Sequence, residues 1–155
     1  MGGGSARGFE PTHRMPAQLD HLIVPAKDRV ASARLLGHLL GVPWAEQAVI
    51  GPFSPVYVND SLTLDFDEWP EPIPKQHYAF RVSDEEFDAI LARVRAAGLP
   101  FRSSPIGGDD HQVNTAFGGR LVYWGEPDGH AWEVLTVSYA RPALPLTAAR
   151  PSSRA

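Results

Sequence analysis

The sequence contains an internal repeat of two copies, and each copy begins with a histidine. The first copy starts at His21 and reaches Gly41 after a helical stretch; the second starts at His77 and reaches Gly98 after an equivalent stretch. The histidine-to-glycine spacing differs by a single residue between the copies. A repeat of this kind constrains the fold more than any other feature, because both copies must form the same supersecondary unit. It can also place equivalent residues on opposite sides of one shared site.

Composition excludes several classes of function. The chain has 155 residues, a length that suits one domain made of two small halves. Its net charge is −4 and it has no long basic run, so nucleic acid is not an expected partner. It has no cysteine, which excludes disulfides, thiolate metal ligands and a cysteine nucleophile. No apolar run is long enough for a membrane span and no signal-peptide core is present, so we expect a cytoplasmic protein with no membrane partner.

The two ends differ in composition from the middle of the chain. Residues 1–17 are rich in Gly, Arg and Pro, and residues 141–155 are rich in Pro, Ser and Ala. Both segments are predicted to be disordered tails. The domain is therefore expected to span residues 18–140, with module one at about 18–70 and module two at about 75–140.

Each module is predicted to be a strand, a helix and about three further strands. In module one Asp28 is the expected helix N-cap, and Gly41 fits the position after the helix. In module two Ser83 and Glu86 match a capping box. The apolar residues that follow have helical spacing; they are Phe87, Ile90, Leu91 and Val94. A helix covers only one face of such a sheet, so the other face needs a partner or a ligand.

Strand alternation places four chemically active side chains on the faces opposite the apolar ones. They are His21, Asp65, His77 and Glu133. They also pair by repeat position, because His21 corresponds to His77 and Asp65 to Glu133. Taken singly, each is more often structural or simply exposed. Taken together, two imidazoles and two carboxylates form a nitrogen and oxygen ligand set that suits Fe(II), Mn(II), Zn(II), Ni(II) or Co(II).

At these residues the chain resembles the vicinal oxygen chelate superfamily, which includes glyoxalase I, extradiol dioxygenases, fosfomycin-resistance proteins and bleomycin-binding proteins. The resemblance rests on Leu19-Asp-His21, on Gln76-His77-Tyr-Ala-Phe, and on the stretch from Tyr123 to Glu133. The last is similar to the family ending Tyr-Phe-x-Asp-Pro-x-Gly-x-x-x-Glu, with Glu126 in place of the usual Asp. The resemblance implies an α+β fold of paired βαβββ modules, forming a cup-shaped mixed sheet with helices on the outer face.

The resemblance also implies a divalent metal in the cup, held by His21, His77 and Glu133. Two histidines and one carboxylate with open positions are the arrangement of non-haem Fe(II) oxygenases, so Fe(II) is favoured over Mn, Zn, Ni or Co. Asp65 occupies the position at which glyoxalase I has an additional glutamate ligand, and it is expected to be a ligand or a base.

The function expected from this resemblance is extradiol-dioxygenase-like cleavage of a small vicinal-diol or catechol-type substrate chelated by the metal. The alternatives are a glyoxalase-like isomerase or lyase, a drug- or metabolite-binding resistance protein, and a scaffold with a vestigial site. Acid–base candidates besides Asp65 are Tyr123 and His111. Candidate substrate contacts are Arg81 and Arg120 for an anionic group, and Asn114 for a hydrogen bond. We also expect a homodimer, with the cup complete in one chain or shared between two.

Overall fold

The computed structural model describes residues 17–140, so the two predicted tails lie outside it except for residue 17. Module one contains β1 (His21–Ala26), α1 (Arg29–Leu40), β2 (Ser54–Asn59) and β3 (Leu62–Glu68). Module two contains β4 (His77–Arg81), α2 (Asp84–Ala96), β5 (Phe101–Arg102), β6 (Leu121–Gly125) and β7 (Ala131–Leu135). The predicted α+β class is confirmed. No helix in the described part of the chain is long and apolar enough to cross a membrane.

Each module forms its own mixed sheet. The first strand of a module pairs in parallel with its last strand, β1 with β3 and β4 with β7, and the remaining pairs are antiparallel. The strand orders are β1-β3-β2 and β4-β7-β6-β5. Module one has one strand fewer than predicted, because the segment after α1 contributes only an isolated bridge between Trp44 and Val56.

The helix ends follow the sequence signals. The Asp28 side chain accepts a hydrogen bond from the backbone N–H of Ala31 at 2.9 Å, and Gly41 adopts a left-handed φ of 71° after α1. At α2, Ser83 and Glu86 form the complete capping box. These local rules hold because a cap satisfies backbone groups that the helix itself leaves without partners.

One apolar core joins the two modules. Val24 and Phe66 of module one are buried in the same cluster as Trp132 of module two, and the rings of Phe66 and Trp132 lie 6.3 Å apart. Helices α1 and α2 also touch, and Arg93 Nε donates to the Leu39 carbonyl across that contact at 2.8 Å. The apolar faces of both sheets therefore point toward a common interior, and the faces that carry His21 and His77 point away from it.

Polar contacts tie the modules at one end of this core. His130 is almost wholly buried, and its Nε2 donates to the carbonyl of Pro25 at 2.7 Å while its Nδ1 accepts from the backbone N–H of Gln76 at 3.1 Å. Since a carbonyl can only accept and an N–H can only donate, these partners fix the neutral Nε2–H tautomer. Asp128 adds a second link, accepting from Lys27 N at 3.0 Å and Ser32 Oγ at 2.9 Å.

Replacing His130 should therefore weaken the joint between modules. His130→Ala removes a donor and an acceptor and leaves the buried Pro25 carbonyl and the part-buried Gln76 N–H without these partners, so we expect the free energy of unfolding to fall by roughly 1–3 kcal/mol. Urea unfolding followed by tryptophan fluorescence measures this. His38→Ala, at an exposed position on α1, is the matched control. Equal unfolding midpoints for the two variants would contradict the assignment.

Candidate metal centre

His77 and Glu133 meet on the outer face of the second sheet. They stand on the neighbouring parallel strands β4 and β7, where His77 is in register with Ala131 and Ala79 with Glu133. His77 Nε2 lies 2.8 Å from Glu133 Oε2. The Glu133 side chain is fully buried, whereas that of His77 is about half exposed. The sheet register therefore brings together two of the three predicted ligands.

The Glu133 carboxylate has one oxygen that is satisfied and one that is not. Oε2 accepts from His77 and also from the Tyr139 hydroxyl at 2.9 Å. Oε1 is buried and has no hydrogen-bond partner among the residues that the structure describes. A buried polar atom without a partner carries a free-energy cost and calls for an explanation. A cation bound at this carboxylate supplies one, so the donor set fits a metal ion.

Two tyrosines complete this group, which we name half-site two: His77, Tyr123, Glu133 and Tyr139. Tyr123 on β6 is the register partner of Glu133, and its ring centroid lies 5.8 Å from that of His77. Burial, followed by the hydrogen bond with Tyr139, raises the pKa of the Tyr123 hydroxyl well above its usual range. Tyr123 therefore keeps its proton at neutral pH and acts as a hydrogen-bond donor rather than as a base.

Sequence reasoning missed Tyr139. This residue follows β7 in an irregular segment, so strand alternation makes no statement about where its side chain points. The one available signal was its position shortly after Glu133, at the end of the family-like region.

The first sheet carries a second group, half-site one: Asp20, His21 and Asp65. His21 Nδ1 lies 2.7 Å from Asp20 Oδ2, and this hydrogen bond, helped by the charges of Asp20 and Asp65, raises the pKa of His21. Burial raises the pKa of Asp65, an effect that His21 opposes. A carboxylate on Nδ1 orients an imidazole and leaves Nε2 for a metal, which is the usual arrangement of a ligand histidine.

The two half-sites do not meet within one chain. Inside residues 17–140, no cluster of three or more His, Asp or Glu side chains is close enough to hold a metal ion. The sequence left two arrangements open, and the first of them, a complete metal site within one chain, is not found in these residues. The physical reason is the shared core: the modules pack through their apolar faces, so half-site one and half-site two lie on opposite sides of it.

The remaining candidate residues divide by location. Arg81 lies on the His77 face of β4, in register with Leu135, and is exposed. The Arg120 guanidinium instead reaches the start of α2, donating to Asp84 at 2.9 Å and to Asp88 at 2.6 Å. It also lies 4.5 Å from the centroid of the Phe87 ring. Arg81 thus stays exposed on the sheet face that carries His77, whereas Arg120 is committed to the helix side of the sheet.

Asn114 and His111 belong to the long loop before β6. The Asn114 side chain donates to the Ser103 carbonyl at 3.0 Å and accepts from Ala116 N at 2.8 Å, so its amide holds the loop backbone. The His111 ring packs edge-on against Phe101 at 4.9 Å. Phe101 is a core residue in register with Trp124, on the face opposite Tyr123. The structure does not bring either residue to half-site two.

Comparison with solved structures shows two proteins of high similarity. Oxidase ChaP-H2 is 42% identical, with 81% of this chain and 97% of that chain covered at a TM-score of 0.75. Oxidase ChaP-H1 is 45% identical, with 81% and 99% covered at a TM-score of 0.71. The fosfomycin resistance protein FosX from Mesorhizobium loti is 18% identical, with 80% and 93% covered at a TM-score of 0.55, and shares the fold. No family model and no curated protein matches the chain.

The chain belongs to the vicinal oxygen chelate superfamily. This confirms the family that the repeated histidines and the Tyr123-to-Glu133 stretch predicted. A glyoxalase/dioxygenase from Nostoc punctiforme has the same fold at 20% identity and a TM-score of 0.58, with 85% of this chain and 97% of that chain covered. The identity to the two oxidases supports an enzyme of the vicinal oxygen chelate type, and the fold neighbours do not select one reaction.

The unsatisfied oxygen of Glu133 leads to a stability prediction for the metal-free protein. Glu133→Gln removes a buried charge while keeping the side-chain shape, so we expect the free energy of unfolding to rise by roughly 1–3 kcal/mol. Thermal or urea unfolding in the presence of a chelator measures this change. Glu68→Gln, at an exposed position of β3, is the control and should leave stability nearly unchanged. A Glu133→Gln protein less stable than wild type would contradict the prediction.

Proposed function

We propose that this protein is a metal-dependent vicinal oxygen chelate dioxygenase that cleaves a small catechol-type or vicinal-diol substrate in the extradiol manner. The observation that carries the proposal is the carboxylate of Glu133, fully buried, bonded to His77 through one oxygen and without a partner at the other. The oxidase names of two proteins that are 42% and 45% identical favour oxidative chemistry over the alternatives.

A homodimer completes the ligand set in this proposal. Strands β1 and β4 are outer strands of their sheets, and each begins at a ligand histidine. Outer strands have free backbone groups that can meet another chain. A two-fold axis that sets β1 of one chain beside β4 of the other would bring His21 to His77 and Glu133, twice in each dimer.

The surface of half-site one supports this arrangement. Ile23 on β1 and Tyr57 on β2 share the His21 side of the first sheet and are 37% and 38% exposed, and Leu19 just before β1 is 61% exposed. These side chains surround the histidine with apolar surface. A second chain laid across them would remove that surface from water, which favours association.

His21, His77 and Glu133 would hold the metal, with Fe(II) favoured and Mn, Zn, Ni or Co as alternatives. Nitrogen and oxygen donors without thiolate suit these ions, and three protein ligands leave positions open for small molecules. When bound, the metal supplies Lewis acidity to two neighbouring substrate oxygens. The chain supplies orientation: Asp20 holds the His21 ring, and the protonated Tyr123 hydroxyl stands beside His77 on the sheet face where the substrate would bind.

In this proposal Asp65 is the acid–base residue and Arg81 recognises the substrate. Burial raises the pKa of Asp65, so this carboxylate is a stronger base than an exposed one and can accept a proton from a substrate hydroxyl. Arg81 lies exposed on the His77 face, where it can bind an anionic group of the substrate. In the dimer the two residues come from opposite walls of the cup.

Extradiol cleavage needs no further reductant. Both atoms of one O2 enter the ring-opened product while the carbon–carbon bond beside the two hydroxyls breaks, so the substrate supplies all the electrons that reduce O2. A water-excluding cup with one metal and one base therefore suffices. The glyoxalase-like alternative would use the same ligands with Asp65 as ligand or base, and the nearness of Asp65 to His21 is the observation that favours it.

Metal analysis of paired variants tests the shared site. His21→Ala and Glu133→Ala homodimers should each lose tight metal binding, because each lacks one ligand at both sites. A heterodimer of the two variants, co-expressed and purified through two different tags, should regain about half of the wild-type metal, since one site is then intact and the other lacks two ligands. Asp65→Ala should lose metal only if Asp65 is a ligand.

The outcomes of the complementation experiment are distinct. A heterodimer as metal-free as its parents would contradict a site shared between chains. Full metal content in both homodimers would contradict the ligand assignment itself. Glu68→Ala is a suitable control carboxylate, because it is exposed and lies outside both half-sites.

Turnover assays separate the candidate reactions. Protein purified anaerobically and loaded with Fe(II) should consume one O2 per catechol and release a yellow ring-fission product. Turnover of a methylglyoxal–thiol adduct by the Ni, Zn or Co form, without O2 uptake, would instead establish the isomerase. Absence of metal binding at any concentration, together with tight binding of an aromatic natural product, would establish the binding protein.

A further inference from the structure

Tyr139 occupies a position that neither the repeat nor the strand pattern accounts for. Its hydroxyl lies 2.9 Å from Glu133 Oε2 and 3.3 Å from the Tyr123 hydroxyl. It therefore touches both the buried carboxylate and the one tyrosine on the sheet face, although it stands outside the sheet.

We infer that Tyr139 is a positioning residue of the metal centre, whose hydroxyl fixes the Glu133 carboxylate so that Oε1 stays free for the cation and directs the hydroxyl of Tyr123. The inference rests on the proposed function for the identity of that cation. The hold on Glu133 is a property of the chain itself.

The hydrogen bonds that join Tyr123, Tyr139 and Glu133 all point from donor to acceptor toward Glu133. A phenol has a single proton, and a carboxylate can only accept, so Tyr139 donates its proton to Glu133 Oε2. The Tyr139 oxygen is then left as an acceptor toward Tyr123. Tyr123 must be the donor in that contact, and the bonds run from Tyr123 through Tyr139 to Glu133. Removing the Tyr139 hydroxyl breaks both bonds at once.

The Tyr139 side chain is only weakly held by apolar packing. Glu133 is fully buried, whereas Tyr139 is 44% exposed and reaches the carboxylate through its hydroxyl. The Phe117 ring packs on Tyr139 at 5.4 Å and is itself 54% exposed. A contact with so exposed a ring holds Tyr139 loosely. The two hydroxyl bonds therefore decide its position, and Tyr139→Phe should disturb the carboxylate while the ring remains.

The first test uses crystal structures of the metal-free wild type, Tyr139→Phe and Tyr78→Phe. Tyr78 is the matched control, because it lies on the opposite face of the same sheet, with its ring stacked on Trp132 at 4.5 Å. We expect the Glu133 carboxylate to rotate or to occupy two orientations in Tyr139→Phe only. An unchanged Glu133 in Tyr139→Phe, with its Oε2 still bonded to His77 alone, would overturn the inference.

The second test titrates the three proteins with Co(II) and records the visible absorption spectrum of the bound ion. Loss of a group that orients a metal ligand lowers metal affinity about ten- to a hundredfold, so Tyr139→Phe should bind Co(II) that much more weakly and with an altered spectrum. Tyr78→Phe should match the wild type. Wild-type Co(II) affinity and spectrum in Tyr139→Phe would refute the positioning role.

The two tests separate this inference from the proposed function. If the wild-type dimer takes up no Co(II), Fe(II) or other divalent ion, the proposed function fails, and the crystal structures still decide whether Tyr139 holds Glu133. If the wild type binds metal and Tyr139→Phe is indistinguishable from it in both tests, the proposed function stands and the inference about Tyr139 fails.

Discussion

The packing of the two apolar sheet faces into one core decides the rest of this structure. Phe66 from the first module and Trp132 from the second lie near each other inside it, and both helices contribute one buried apolar face to it. Because side chains alternate along a strand, burying one face of a sheet turns the other face outward. The chemically active residues are therefore on the outside of a single chain as a direct consequence of how its interior is filled.

This arrangement explains why each half-site is well formed yet incomplete. In half-site two the register of β4 against β7 sets His77 beside Glu133, and the carboxylate keeps one oxygen without a partner. In half-site one Asp20 fixes the His21 ring. Each group is organised in the metal-free chain, and neither alone contains all three ligands of the proposed metal site. The distribution of ligands thus couples the proposed chemistry to assembly of the dimer.

Much of this could be predicted from local patterns. The capping box at Ser83, the cap at Asp28 and the left-handed Gly41 follow from rules that involve a few neighbouring residues. The pairing of His77 with Glu133 also followed, because period-two alternation assigns a face and the repeat assigns a strand. Other site residues did not follow: Arg120 found acidic partners on α2, and the amide of Asn114 was used by its own loop. Sequence spacing alone does not reveal such competing partners.

The sequence by itself determined the repeated module, the helix boundaries, the superfamily and the face on which each candidate ligand lies, because these depend on local chemistry and on the period of the backbone. Only the tertiary structure decided that the faces carrying His21 and His77 turn away from each other, since that depends on which apolar surfaces pack together across the chain. It also decided the place of Tyr139, whose irregular segment has no period from which a direction could be deduced.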